Sequence, residues 1–300
     1  MIRVAHAPVY TYQLPDGHRF PMQKYELLPQ QLLHEGVIAK ANFFEPAQVA
    51  IDDILLTHSH EYWTKLDTLN LTAKEIRKIG FPLRRDLIER GRYITQGTID
   101  CAKYAMDIGV ALNIAGGTHH AFRDRGEGFC LINDIAVAAN FLLKNRLVRK
   151  ILIVDLDVHQ GNGTAHIFKD ESQVFTFSMH GAKNYPTRKE TSDLDIGLAD
   201  GADDSLYLTT LKNILPGLIE EFRPDLIFYL AGVDVLETDK LGRLSLSKSG
   251  CKERDTIVFN NAHKNQIPVA VSMGGGYSPQ LRDIIDAHCN TYKAAASVYS

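Results

Sequence analysis

The sequence contains no long apolar segment and few cysteines. No stretch of about 18 consecutive apolar residues occurs, and the amino-terminal residues MIRVAHAPVY lack a charged start followed by an apolar run. We therefore expect neither a membrane span nor a secretory signal, and a cytoplasmic location. The 4 cysteines form no CxxC pair, which argues against a disulfide framework and a thiolate zinc cage and predicts reduced thiols.

An excess of charge of one sign is also missing. The chain carries 33 Lys and Arg against 36 Asp and Glu, a net charge of −3 with His neutral. This balance gives no overall attraction to nucleic acid or to an anionic membrane surface, so we expect no direct partner of either kind. The composition, with 45% apolar residues, is that of a globular chain with a sizeable core. Without a linker, repeat or composition break, the sequence predicts a single domain over residues 1–300.

Short β-branched apolar runs, each followed by polar or glycine residues, alternate with segments of helical spacing. The runs are too short for helices and are typical of buried parallel strands. The predicted strand segments are 2–8, 110–120, 150–163, 173–181, 224–235 and 267–277, and the predicted helices are 94–107, 133–145, 206–222, 250–264 and 279–296. The alternation predicts a mainly parallel sheet covered by helices on both faces, an α/β fold with three α/β/α layers. Residues 57–93 are predicted to form helices and loops along one side.

Polar side chains collect where these predicted strands end. In an open α/β sheet, ligands bind beyond the carboxyl ends of the strands. The candidates at those ends are His119, His120, Asp155, Asp157, His159, Ser178, His180, Asp234 and Tyr277. Taken alone, an Asp at a strand end is most often a helix cap or a turn residue, and His180 is most simply a structural histidine. The joint occurrence of these groups at neighbouring strand ends is what predicts one functional site.

The segment DLDVH gives the strongest signal for a metal. Asp155, Asp157 and His159 alternate with apolar residues, so on a strand they would share one face. Burying two carboxylates costs several kcal/mol unless a cation or a donor offsets their charge. We therefore predict a metal site, which Asp234 in AGVD can complete from another strand. Oxygen and nitrogen ligands without thiolate are typical of a catalytic metal with an open position for water or substrate.

Several motifs, in their order along the chain, resemble those of the zinc-dependent histone deacetylase superfamily. They are THHAFRDRGEGFCLINDIAVA at 118–138, DLDVHQGNG at 155–163, SMH at 178–180, AGVD at 231–234 and GGGY at 274–277. The resemblance extends over nearly the whole chain and implies an arginase/deacetylase-like fold. Residues 81–102 look most like the class IV branch of this superfamily and its bacterial relatives.

The resemblance also implies which ions the chain binds. Zinc would be held by Asp157, His159 and Asp234, and Fe2+ is an alternative native metal. The superfamily also binds a structural potassium ion. Its ligands here would be the Ser178 hydroxyl and the backbone carbonyls of Asp155, Asp157, His159 and Met179.

For the tandem histidines, the resemblance implies separate partners. Asp155 would hydrogen-bond His119, and Asn162 would orient His120. An amide cannot stabilise an imidazolium by charge, so we expect His120 to be the more easily neutral ring and the better base near pH 7. On this hypothesis His120 takes a proton from water and returns it to the leaving amine, while Tyr277 stabilises the oxyanion. The opposite division of roles between the two histidines stays open.

The substrate channel is also assigned by resemblance. Gly128 and Phe129 match residues that line a narrow acyl-lysine channel, and Tyr185 is expected to supply the facing wall. The leading hypothesis is a hydrolase that removes acetyl or longer acyl groups from lysine of a peptide or protein. The alternatives are an amidohydrolase of small acetylated amines such as acetylpolyamines, and a binding module without turnover. An arginase-type enzyme with two metals would want carboxylates at Gln160 and Asn162. The acyl length and the oligomeric state stay open.

Overall fold

The computed structural model describes residues 2–299 and contains one sheet of 8 parallel strands. The strands are β1 Arg3–Ala5, β2 Phe43–Phe44, β3 Val110–Asn113, β4 Ile151–Asp155, β5 Val174–Gly181, β6 Leu194–Leu198, β7 Leu226–Leu230 and β8 Val269–Ser272. Their order across the sheet is β2-β1-β3-β8-β7-β4-β5-β6. The predicted parallel sheet is confirmed, whereas β2 and β6 lie outside the predicted strand segments.

Helices precede, connect and follow these strands. They are α1 Lys24–His34, α2 Ile51–Ile54, α3 His60–Asp67, α4 Ala73–Ile79, α5 Arg85–Ile108, α6 Asp134–Lys144, α7 Asn162–Phe168, α8 Asp204–Phe222, α9 Lys248–Lys264 and α10 Leu281–Tyr299. Between residues 2 and 299, no helix is long and apolar enough to cross a membrane. The single domain over residues 1–300 stays a prediction.

Burial explains why these segments form the elements they do. Every residue of β4 is buried, as expected for a central parallel strand covered by helices on both faces. Helix α5 buries residues three and four positions apart, such as Ile94, Thr98, Ala102 and Ala105, which form one apolar stripe. This helix begins at Arg85 and not at residue 94 as predicted, because the stripe continues toward its start.

The strand order brings the candidate residues together. Strands β3, β8, β7 and β4 are neighbours, and because all are parallel their carboxyl ends meet at one edge of the sheet. The segments after these four strands carry the tandem histidines, Tyr277, Asp234 and the DLDVH carboxylates in turn. The candidate site therefore lies where the sheet geometry favours ligand binding.

Candidate active site

Asp157, His159 and Asp234 form one buried cluster, which we call the metal cluster. One ligand atom from each lies within 4.8 Å of the others. His159 Nδ1 is 3.1 Å from Asp157 Oδ1 and 3.2 Å from Asp234 Oδ2. Among the described residues, Asp234 Oδ2 is buried without a hydrogen-bond partner. Two carboxylates and one imidazole, with a free oxygen among them, fit a divalent metal such as zinc.

The backbone of the site holds the other carboxylate oxygens in place. Val158 N–H donates to Asp234 Oδ1 at 3.0 Å, and Gly275 N–H donates to Asp157 Oδ2 at 2.9 Å. These two hydrogen bonds join the segments that follow β4, β7 and β8. The carboxylates are therefore oriented by backbone donors, and Asp234 Oδ2 is left to face His159.

The prediction that Asp155, Asp157 and His159 share one face of a strand is wrong. Strand β4 ends at Asp155, and the two later residues lie in a turn. Asp155 Oδ1 accepts a hydrogen bond from Asp157 N–H at 3.2 Å, and Asp157 Oδ1 accepts one from His159 N–H at 3.0 Å. Side-chain bonds of this kind compete with strand pairing and turn the backbone. Asp157 and His159 converge through these turns.

Electrostatics in the metal cluster favours a positive partner. Burial, together with the charge of Asp157, raises the pKa of Asp234 to about 7. Burial alone would lower the pKa of His159, but its hydrogen bond to Asp157 and the close carboxylate of Asp234 raise it to about 10. The negative charge of the clustered carboxylates contributes to both shifts.

The tandem histidines lie in the loop after β3, and each ring has its own partner. His119 Nδ1 is 2.7 Å from Asp155 Oδ2, and His120 Nδ1 is 2.6 Å from Asn162 Oδ1. The two ring centroids are 4.1 Å apart, and both side chains are buried. The loop passes close to the segment after β8. A Cβ on Gly117 would lie 2.8 Å from the Cα of Gly274 in that segment. Glycine with positive φ is therefore needed there.

The pKa values of the two rings shift in opposite directions because their partners differ. Burial lowers the pKa of His119, but the charges of Asp155 and Asp157 outweigh this effect and raise it. Burial lowers the pKa of His120, and the positive rings nearby lower it further, while its partner Asn162 is neutral. His120 is thus the ring that stays neutral and can accept a proton.

Tyr277 faces the metal cluster from the glycine-rich segment after β8. Its backbone N–H donates to Asp239 Oδ2 at 2.6 Å, and its ring centroid is 6.5 Å from that of His159. Burial and the nearby charges of Asp234 and Asp157 raise the pKa of its phenol well above the usual value. The hydroxyl therefore keeps its proton and can act as a hydrogen-bond donor.

A pocket of about 230 Å³ leads from the surface to these groups. Its wall contains Gly128, Phe129, Tyr185, Leu241 and Tyr277, the exposed side chains of Arg19 and Lys78, and the buried rings of His120 and His159. The Tyr185 hydroxyl donates to Glu127 Oε2 at 2.7 Å, which joins the two sides of the pocket. A Cβ on Gly128 would lie 2.7 Å from the His120 ring, so a side chain there would enter the site.

Ser178 and Met179 lie on β5, next to the strand that ends in Asp155. Ser178 is in register with Asp155, and its Oγ is 2.9 Å from His180 Nδ1. The structure thus places the proposed potassium ligands on neighbouring segments. Their role as ion ligands stays a prediction.

Sequence reasoning missed three charged residues that support the site, of which Lys24 and Asp134 are buried and Asp239 is half-buried. Asp239 accepts the Tyr277 N–H, Lys24 Nζ donates to Gly274 O at 3.1 Å, and Asp134 accepts N–H groups from Gly117 and Thr118. Of these, Lys24 carries a readable signal, because it precedes Leu28 and Leu32 at intervals of four on the apolar stripe of α1. A lysine on such a stripe indicates a buried polar role.

The fold and the site define an α/β protein with a buried carboxylate–histidine centre at the carboxyl edge of its sheet. A family model described as "Histone deacetylase domain" matches residues 18–292, and the chain belongs to the histone deacetylase family of hydrolases. It is 42% identical over 296 residues, 99% of each chain, to an uncharacterized protein of Picosynechococcus sp.. It is 31% identical to Histone deacetylase 2 of Arabidopsis thaliana over 277 residues, which cover 89% of this chain and 72% of that protein.

Solved structures show the same fold. A histone deacetylase homolog complexed with SAHA matches with a TM-score of 0.84 at 24% identity, over 99% of this chain and 84% of that one. The HDA15 HD domain matches with a TM-score of 0.83 at 21% identity, over 98% of this chain and 90% of that one. The predicted superfamily and its arginase/deacetylase-like fold are confirmed, whereas the class IV assignment stays a prediction.

Proposed function

We propose that this protein is a zinc-dependent hydrolase that removes acyl groups from the side-chain amine of lysine. The observation that carries the proposal is the buried, unpartnered Asp234 Oδ2, which lies 3.2 Å from His159 Nδ1, while His159 lines an aromatic pocket together with His120 and Tyr277. A buried acceptor without a partner calls for a ligand, and here the neighbouring groups are those that hydrolysis of an amide requires.

Asp157, His159 and Asp234 would hold the metal. Bound there, zinc supplies the Lewis acidity that polarises the amide carbonyl and lowers the pKa of a water molecule. Fe2+ suits the same ligands and is the alternative that metal analysis would distinguish. We assign the structural potassium ion to the Ser178 hydroxyl and the carbonyls of Asp155, Asp157, His159 and Met179.

The protein side chains move the protons. His120, kept neutral by burial and its neighbours, accepts a proton from the attacking water and returns it to the leaving amine. His119, which Asp155 keeps positively charged, supports the negative charge that develops nearby. The Tyr277 hydroxyl donates a hydrogen bond to the carbonyl oxygen as that oxygen becomes negative.

The pocket favours an acylated lysine over a free one. Phe129, Tyr185 and Tyr277 form an aromatic wall that suits the neutral alkyl stem of an acyl-lysine, whereas a free ammonium would lose its hydration there. The exposed side chains of Arg19 and Lys78 also line the pocket, and Lys78 Nζ pairs with Glu127 Oε1 at 3.4 Å. The positive charge of Arg19 disfavours polycationic acetylpolyamines, so a peptide or protein is the preferred partner. Nucleic acid and membrane are not expected partners, and the cytoplasm is the expected location.

The test is hydrolysis of peptides that carry acetyl-, octanoyl- or myristoyl-lysine, with N-acetylputrescine as the small-amine comparison. His120→Ala should lower kcat/KM by at least about a hundredfold, and Tyr277→Phe should lower kcat by about a hundredfold. His34→Ala, an exposed histidine on α1, is the matched control and should leave the rate unchanged. A larger loss in His119→Ala than in His120→Ala would exchange the roles of the two rings.

The same panel separates the alternatives. Turnover of N-acetylputrescine alone would replace the proposed substrate by a small acylated amine. Binding of acylated peptide with no turnover of any substrate would identify a binding module. The acyl chain that gives the highest kcat/KM defines the acyl-length preference of the pocket.

A further inference from the structure

Arg254 lies beneath the metal cluster and is fully buried on α9. Its Nη1 donates to the backbone carbonyl of Gly232 at 2.6 Å and to that of Leu156 at 3.2 Å. Leu156 immediately precedes Asp157, and Gly232 is two residues before Asp234. One guanidinium nitrogen therefore joins the two segments that carry the carboxylates of the metal cluster.

The orientation of this guanidinium is determined by other elements of the fold. Its Nε donates to Asp255 Oδ1 at 2.9 Å, and its Nη2 is 2.7 Å from the same oxygen. Asp255 in turn accepts hydrogen bonds from the Tyr229 hydroxyl on β7 and from Thr291 Oγ1 on α10. We call these four residues the arginine cluster. Helices α9 and α10 and strand β7 all contribute to it, so Arg254 has little freedom to move.

The two segments that Arg254 joins are also packed tightly against each other. A Cβ on Gly232 would lie 2.3 Å from Asp157 Oδ2, so the Gly232 backbone is in close contact with that carboxylate. Leu156 N–H donates to Leu230 O at 3.2 Å, which ties the same segments on the strand side. A shift of the Gly232 carbonyl away from Arg254 would therefore displace Asp157 or Asp234.

We propose that Arg254 is a positioning residue that sets the separation of the Asp157 and Asp234 carboxylates and thereby the affinity of the site for its metal. A planar guanidinium can pair with Asp255 through one edge while it donates to two carbonyls through another nitrogen. The single ammonium of lysine cannot reproduce this geometry. The inference rests on the proposed metal site, and it adds a residue outside the ligands that controls how tightly zinc is held.

The test measures zinc affinity by competition with a chelator, and the absorption spectrum of the cobalt(II)-loaded protein. Arg254→Lys keeps a charge beside Asp255, and Arg254→Met combined with Asp255→Asn removes both charges, so no unpaired ion stays buried. Both proteins should bind zinc at least about tenfold more weakly than the unmodified chain, with an altered cobalt spectrum. Val258→Ala, at a fully buried apolar position on the same helix, is the control for general destabilisation.

The outcomes separate this inference from the proposed function. Weakened zinc binding in both arginine variants, with unchanged affinity in Val258→Ala at a comparable loss of thermal stability, supports the positioning role. Unchanged affinity in either arginine variant, or an equal loss in Val258→Ala, overturns it while leaving the metal site intact. Failure of the unmodified chain to bind zinc or cobalt overturns both.

Discussion

The metal cluster and the arginine cluster are neighbours, but they differ in whether protein groups neutralise their buried charge. In the arginine cluster, one guanidinium faces one carboxylate and both Asp255 oxygens accept hydrogen bonds, while Arg254 Nη2 makes no hydrogen bond but lies 2.7 Å from the opposite charge of Asp255 Oδ1. In the metal cluster, two carboxylates share one imidazole, and Asp234 Oδ2 has no hydrogen-bond partner among residues 2–299. Protein groups neutralise the charge of the arginine cluster, whereas the negative charge of the metal cluster is in excess.

The difference shows how a buried ionic group can be assigned to architecture or to ligand binding. A buried ion pair with all its acceptors satisfied has no remaining capacity for a ligand and holds elements together. A buried carboxylate without a compensating charge raises the free energy of the folded state, and a bound cation would lower it again. On this basis the metal cluster binds the cofactor, and the arginine cluster supports it.

The largest expected effect comes from removing a charge from the metal cluster. Asp234→Asn should reduce deacylation by about a thousandfold or more, because loss of a metal ligand removes several kcal/mol of charge stabilisation. In chelator, the free energy of unfolding should stay equal or rise, since the variant relieves repulsion between buried carboxylates. Both quantities are measured on one preparation, by peptide hydrolysis and by urea unfolding. A large loss of stability in chelator would show that the cluster is structural.

In the arginine cluster, removing a carboxylate charge is expected to destabilise the fold. Asp255→Asn leaves Arg254 buried without a counterion and should lower the free energy of unfolding by about 3 kcal/mol. Urea unfolding measures this loss, and Asp225→Asn, at a partly exposed carboxylate, is the matched control. A loss below about 1 kcal/mol would remove the contrast between the two clusters.

An effect of similar size that appears only on acidification is expected from His58, a buried histidine whose partner is a neutral backbone group. Asn133 N–H donates to His58 Nε2 at 3.0 Å, and burial lowers the pKa of His58 to about 4. Between this value and the unfolded pKa near 6.5, the unfolded chain binds more protons than the folded one. Stability from His58 is therefore complete above about pH 6.5 and declines by about 3 kcal/mol as the pH falls toward 4.

Urea unfolding between pH 4.5 and 7 on the unmodified chain and on His58→Gln checks this prediction. The glutamine can still accept the Asn133 N–H, so the variant should show a shallower decline on acidification. Equal slopes for the two proteins would contradict the assignment of His58 as a neutral, buried ring.

The sequence predicts the site's chemistry better than its geometry. The β-branched runs and the polar residues that follow them were sufficient to predict the parallel sheet and to place Asp157, His159 and Asp234 at one edge. The turns at Asp155 and Asp157 were not readable, because alternation in DLDVH is equally typical of a strand. Edge strands β2 and β6 were missed because one has two residues and the other, LDIGL, is interrupted by an Asp and a Gly and is mostly half-buried.

The sequence pattern does not indicate the contacts between distant segments that support the site. Arg254 lies in KERD on a helix, where a charged run usually marks a solvent-exposed face. Its carbonyl partner Leu156 is 98 positions away, and no local spacing indicates that contact. Burial of a charged side chain depends on how helices pack on the sheet, so only the folded structure identifies it.

The most direct test of the account is a zinc titration of the metal-free protein, followed by hydrolysis of its preferred acyl-lysine peptide. We predict negligible activity without metal and a linear rise in activity that ends at one zinc per chain, whereas Asp234→Asn should show no such rise. Full activity in the metal-free protein, or a rise that ends at two metals per chain, would contradict it.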